Sequence, residues 1–194
     1  MKGKHTRELI VHAADQLFYV QGYGATSFAD IASAVKISRG NFYYHFRTKD
    51  EILDAVISLR LSSTQDMLEG WEATSDTPQD RIKSFIRILI MNQSKIMLHG
   101  CPVGTLYSEL AKLDHAAQTD AAKLFSLFRQ WLSHQFTLMG QGERADAYAL
   151  HLLARSQGVA TLANAFHDKC FVAHEVRQMC DWLDSLRAGS AQLS

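Results

Sequence analysis

The chain has 194 residues, 47% of them hydrophobic, enough for one large or two small domains around a substantial core. Twenty basic residues balance twenty acidic ones, so no polybasic field is present to hold random nucleic acid. Three cysteines are too few and too scattered for a disulfide framework or a four-ligand zinc site. Only two prolines, many Ala and Leu, and no alternating Val/Ile/Thr run point to an all-α fold. No stretch of eighteen apolar residues suggests a membrane span, and the basic N-terminus lacks an apolar leader segment. A cytoplasmic protein without membrane partner, metal or cofactor is expected.

A first helix is predicted over Thr6–Val20, with Leu9, Ile10, Ala13, Ala14, Leu17 and Phe18 on one face and Gly22 at its end. Thr26 or Ser27 caps a short helix, Phe28–Val35, and Lys36-Ile37 makes a turn. Ser38 caps a third, Arg39–Phe46. That segment carries polar and aromatic tips outward and anchors itself only through Phe42 and Phe46, as suits an element lying in a DNA major groove. Thr48 with Glu51 is a capping box opening a long helix to about Trp71, whose inward side is Ile52, Leu53, Val56, Ile57, Leu59 and Met67. After the linker 73–78, Thr77 and Pro78 start a helix running through Ile96. The segment 99–104, with two glycines and a proline, is a break. Helices over Thr105–Lys112, His115–Met139, Glu143–Phe166 and Phe171–Leu186 complete the chain.

Residues 1–60 hold eight basic and six acidic side chains, a net of +2, so tight DNA binding would need a specific and dimeric fit. Three short helices with a tight turn, followed by a long helix, form a helix-turn-helix arrangement. The order Gly22-Tyr23, Thr26, Asp30-Ile31-Ala32, Val35, Ser38, Gly40, Phe42-Tyr43, His45-Phe46, Lys49 and Glu51 resembles the N-terminal domain of the TetR family of transcriptional regulators, over about residues 6–55. The resemblance implies an all-helical, ligand-responsive regulator, usually a repressor. Its helix-turn-helix domain would span 1–48. A ligand-binding and dimerisation domain would span 49–194, entered through a linking helix at 49–72.

The resemblance also assigns residues. Thr26 and Ser27 would hold a phosphate at the start of the second helix, and Lys49 would contact another. Ser38, Arg39, Asn41, Tyr43, Tyr44 and His45 match the recognition helix. Arg39 suits guanine and Asn41 adenine, and Gly40 lets the backbone approach DNA closely. In the family the last two helices pair across a two-fold axis, giving a homodimer on a palindromic double-stranded operator. The sequence supplies Ala145, Tyr148, Ala149, Leu152, Leu153, Ser156, Val159, Ala160 and Ala163 on one of them, and Val172, Val176, Met179, Leu183 and Leu186 on the other.

Candidates to line a pocket for a small-molecule effector, apolar or electrophilic, are Met91, Met97, His99, Cys101, Tyr107, Phe125, Phe128, Trp131, His134 and His151. The segment Gly100-Cys101-Pro102-Val103-Gly104 with Ser108-Glu109-Leu110 resembles a subset of the family, some of whose members sense electrophiles or oxidants through the cysteine. Cys101 is therefore either such a sensor or an inert thiol, while Cys170 and Cys180 read as packing residues. An all-helical enzyme and a helical adaptor with a degenerate helix-turn-helix are the competing readings. No motif of a zinc protease, serine hydrolase or phosphate-cradling loop supports the enzyme.

Overall fold

The computed structural model describes residues 2–190, with side chains from residue 5 to residue 186. All the regular structure among them is helical. Helix α1 (Lys2–Gln21) buries Ile10, Val11, Ala14 and Phe18. Leu9, read as inward, is exposed and Val11 takes its place, so the helix is rotated slightly from the face that spacing alone suggested. Gly22 ends α1 at φ 92, its N–H donating to the Phe18 carbonyl.

Ser27 opens α2 (Phe28–Val35) with a reciprocal cap. Its hydroxyl accepts from the Asp30 N–H at 3.2 Å, and the Asp30 carboxylate accepts from the Ser27 N–H at 2.8 Å. Lys36 then adopts a left-handed backbone (φ 58), which lets the Ile37 N–H reach the Ala32 carbonyl and turns the chain within two residues. Ser38 caps α3 (Arg39–His45), and Phe46 closes it in an extended conformation. At the head of α4 (Lys49–Thr74) the Thr48 hydroxyl accepts from the Glu51 N–H. The Glu51 carboxylate, however, accepts from the Arg47 N–H, one residue further back than a reciprocal cap requires. Further along α4, Leu68 is buried where Met67 was expected.

The helix predicted over 78–96 is two, α5 (Pro78–Met91) and α6 (Gln93–His99). The break is at Asn92, whose side-chain amide donates to the Ile88 carbonyl and competes with the helical ladder. Pro102 does not prolong a loop but occupies the first turn of α7 (Pro102–Lys112), three residues earlier than predicted, where its missing N–H costs nothing. Then come α8 (Gln118–Leu138), a 3-10 turn (Gly142–Arg144), α9 (Ala145–Phe166) and α10 (Lys169–Ser190). Asp168 accepts the N–H groups of Cys170 and Phe171, so α10 begins two residues before Phe171.

Two compact units result, and they cut the chain differently from the division at 48/49. The first joins residues 1–64 to 102–124, and its core unites Ile10, Phe18, Ile31, Phe42, Phe46, Ile52 and Leu53 with Leu106, Leu110, Ala117 and Ala121. The second joins residues 65–101 to those from 125 on. Within it Phe85 meets Phe128 at 5.5 Å between ring centres, and Phe136, Tyr148 and Trp182 pack together. Among the described residues no helix is long and apolar enough to cross a membrane, and no group of His, Cys, Asp and Glu is placed to hold a metal.

Candidate nucleic-acid interface

Helix α3 has seven residues and commits only Phe42 to the core, with Phe46 anchoring its end. Arg39, Gly40, Asn41, Tyr43 and Tyr44 are all exposed, and His45 is half-buried. Tyr43 is propped rather than free: its ring lies 5.7 Å from Phe28 and 6.3 Å from Phe42, leaving 52% of the residue open. Tyr44 is 82% exposed with its ring against His45. A side chain added at Gly40 would meet only open space. An open cleft between α2 and α3, lined by Ser27, Phe28, Ala32, Arg39 and Tyr43, runs beside this face. From Thr26 to Lys49 the basic residues Lys36, Arg39, Arg47 and Lys49 stand against a single acid, Asp30. The Asp30 carboxyl is held below its ordinary range by the Ser27 hydroxyl and then the Ser27 N–H. The arrangement is a rigid stub whose outward groups are hydrogen-bond donors, acceptors and flat rings, next to local positive charge.

Four of the assigned residues are also engaged within the protein. Thr26 is buried and its hydroxyl donates to the Gly22 carbonyl at 2.7 Å, so that hydroxyl is not offered to a phosphate but closes the α1–α2 loop. The exposed Ser27 and Ser38 hydroxyls are engaged as helix caps. Lys49 is half-buried. Its ammonium donates to the carbonyls of Tyr23 (2.9 Å) and Thr26 (3.2 Å) and lies 4.2 Å above the Tyr23 ring. An ammonium has three N–H groups, and one remains for a phosphate. Lys49→Ala is therefore expected to lower the melting temperature of the DNA-free protein by several degrees, because the part-buried Thr26 carbonyl loses this donor and the Tyr23 carbonyl keeps only the Thr26 N–H. An unchanged melting curve would show that these bonds carry no stability.

Residues 10–56 match the family model of bacterial regulatory proteins, tetR family. The uncharacterised HTH-type transcriptional regulator in the lacX 3' region of Lactococcus lactis subsp. lactis is 30% identical over 169 residues, 85% of this chain and 86% of that protein. The chain belongs to the TetR family. A TetR transcriptional regulator from Legionella pneumophila is 28% identical and superposes with a TM-score of 0.79 over 90% of this chain and 95% of its own. The HTH-type transcriptional repressor DhaR of Mycobacterium sp. (strain GP1) is 27% identical over 127 residues, covering 65% of this chain and 61% of the relative. As a TetR-family member the protein is a ligand-responsive, DNA-binding transcriptional regulator and not an enzyme, and the family fold implies dimerisation.

In this TetR-family chain the effector candidates have different neighbours. Phe128 is core, against Phe85. The Trp131 indole N–H donates to Glu72 at 2.8 Å, its ring beside Trp71. The Tyr107 hydroxyl accepts from Gln118 inside the first unit, whereas the other candidates belong to the second. His151, His134 and Met91 are exposed, His151 with its ring 4.7 Å from Trp182. Met97, His99, Cys101 and Phe125 are half-buried. Cys170, read as packing, is exposed, while Cys180 is half-buried and its thiol is pushed upward by that burial.

The pairing face of the TetR-family regulator also needs correction. Ala145, Ala149, Leu152, Leu153, Ser156, Val159, Ala160 and Ala163 of α9 are buried within the protomer, as are Val172, Val176, Met179 and Leu183 of α10. The outward side of α9 carries a second stripe that sequence reading missed: Ala147, Leu150, Ala154, Gly158, Leu162 and Phe166. These recur every three or four residues, and nothing lies within 4 Å of a side chain added at Gly158.

Proposed function

We propose that this protein is a repressor which, as a homodimer, reads a palindromic operator with α3 and leaves it when an apolar or electrophilic small molecule binds the second unit. The observation that carries the reading is α3 itself, a capped seven-residue helix with one buried side chain and five consecutive or near-consecutive exposed groups fit for DNA. Arg39 and Asn41 serve as base readers; Tyr43, Tyr44 and His45 serve sugar, phosphate or thymine methyl; the remaining Lys49 N–H takes a phosphate. Repression follows the sense of the relative DhaR. The dimer forms through the last two helices, along the outward stripe of α9. The apolar side chains of that stripe, Leu150, Leu162 and Phe166, are 42%, 41% and 69% exposed in the protomer.

Selection of duplexes from random-sequence DNA tests this reading. The expected product is an inverted repeat, bound with an affinity that falls as salt rises. Recovery of no common sequence would reject it. Cys101→Ser is expected to keep operator binding and lose release by an electrophile such as N-ethylmaleimide; a variant still released would take Cys101 out of the response.

A further inference from the structure

The α1–α2 loop, residues 22–26, is gripped at Tyr23 and Gly24 by a group 85 residues on from Gly24. The Glu109 carboxylate on α7 accepts from the Tyr23 N–H at 2.9 Å with one oxygen and from the Gly24 N–H at 2.7 Å with the other. Consecutive backbone N–H groups converging on one anion form a nest, a concavity with the electrostatics of a helix N-terminus. The glycines are what let the carboxylate in. A Cβ at Gly22 would lie 3.0 and 3.1 Å from its two oxygens, and a Cβ at Gly24 would lie 3.3 Å from one of them.

The same loop is held from its other side. The Tyr23 hydroxyl donates to Asp50 at 2.5 Å, and His115 Nε2 lies 3.3 Å from that hydroxyl and 3.4 Å from Asp50. His115 Nδ1 accepts the Ala117 N–H, which places the proton of the neutral ring on Nε2, facing the pair. The Asp50 carboxyl is held below its ordinary range, first by the Tyr23 hydroxyl. At the far end of α7, Arg60 joins Asp15 (2.6 Å) to the Pro102 carbonyl (2.6 Å). The loop thus has no slack. Its Tyr23 and Thr26 carbonyls are the acceptors of Lys49, and its last residue precedes the cap of α2.

We propose that Glu109 is a positioning residue for DNA binding: its carboxylate fills the Gly22–Gly24 nest and so fixes where α2, Lys49 and α3 stand for the operator. The proposal rests on the reading of α2–α3 as the DNA-contacting elements. Simple charge predicts the reverse effect of its removal, since losing an anion from a DNA-binding unit strengthens attraction to phosphate.

The test uses the full-length dimer and a duplex that the wild type has selected from random-sequence DNA. Glu109→Gln keeps the shape, but its amide leaves one accepting oxygen for two N–H groups and turns an NH2 toward the other. The expected result is a loss of about tenfold in affinity, an unchanged dimer, and faster hydrogen exchange at the Tyr23 and Gly24 amides with α9 exchange unaltered. Equal or tighter binding by Glu109→Gln would overturn the proposal, and so would undisturbed exchange at the two amides. General unfolding of the variant would overturn it too, because Glu109 would then hold the fold of the unit and not the placement of its DNA-contacting elements. If the wild type selects no duplex, the DNA reading fails, and amide exchange in the free protein still decides whether the nest is held by Glu109.

Discussion

Gly158→Arg is expected to turn the regulator into monomers that no longer hold their operator. The position is exposed in the outward stripe of α9, and a Cβ there would have no neighbour within 4 Å, so the new side chain starts into open space. Glycine is also the poorest helix former after proline, and replacing it in the middle of a helix favours the helical protomer by about 1 kcal/mol. A loss of dimer in this variant is therefore not a loss of fold. Two linked half-sites gain a factor of about 10² to 10⁴ over one, so the affinity for a full palindrome should fall by about that much while helical content stays the same. Sedimentation at micromolar protein and titration of the same duplex would check both parts. A Gly158→Arg dimer with intact binding would move the two-fold axis elsewhere.

Arg39→Ala should cost about 1–3 kcal/mol of operator affinity, roughly five- to 150-fold, and relax sequence preference at a single base pair in each half-site. Arg39 is exposed on the first turn of α3, and its removal should leave the melting temperature of the free protein where it was. If instead affinity falls equally for every sequence and the salt slope drops by about one, Arg39 is a phosphate contact and Asn41 becomes the leading base reader. The family resemblance assigns both Tyr43 and Lys49 to the DNA-contacting set. The structure separates them. Tyr43 leans on Phe28 with half its surface open, while the Lys49 ammonium points inward at two carbonyls.

The local signals in this chain were legible because their physics is local. Ser27, Ser38 and Thr77 cap the helices they precede, Gly22 turns the end of α1, and Phe42 and Phe46 are the anchors of α3. What stayed hidden depends on neighbours that spacing does not name. Helix α9 carries one stripe for its own core and another facing out, and periodicity alone does not say which is which. The split of the predicted 78–96 helix hangs on one asparagine amide choosing a backbone carbonyl. In the sequence Glu109 stands only within the Ser108-Glu109-Leu110 match, with no role of its own. Its role appears only when the chain folds back and brings it to two glycines whose value is that they carry no side chain. The same return of α7 is why the first compact unit takes in residues 102–124, which no composition shift announces.

In the proposed complex α3 enters the major groove in two copies at once. Methylation of guanine N7, which lies on the floor of that groove, reads this directly on the selected palindrome with and without protein. Protection is expected in two clusters on one face of the duplex, centred about one helical turn (or a whole number of turns) apart and lost together in Gly158→Arg. Binding that leaves every N7 open to the reagent, or protects a single cluster with one protomer per duplex, would contradict it.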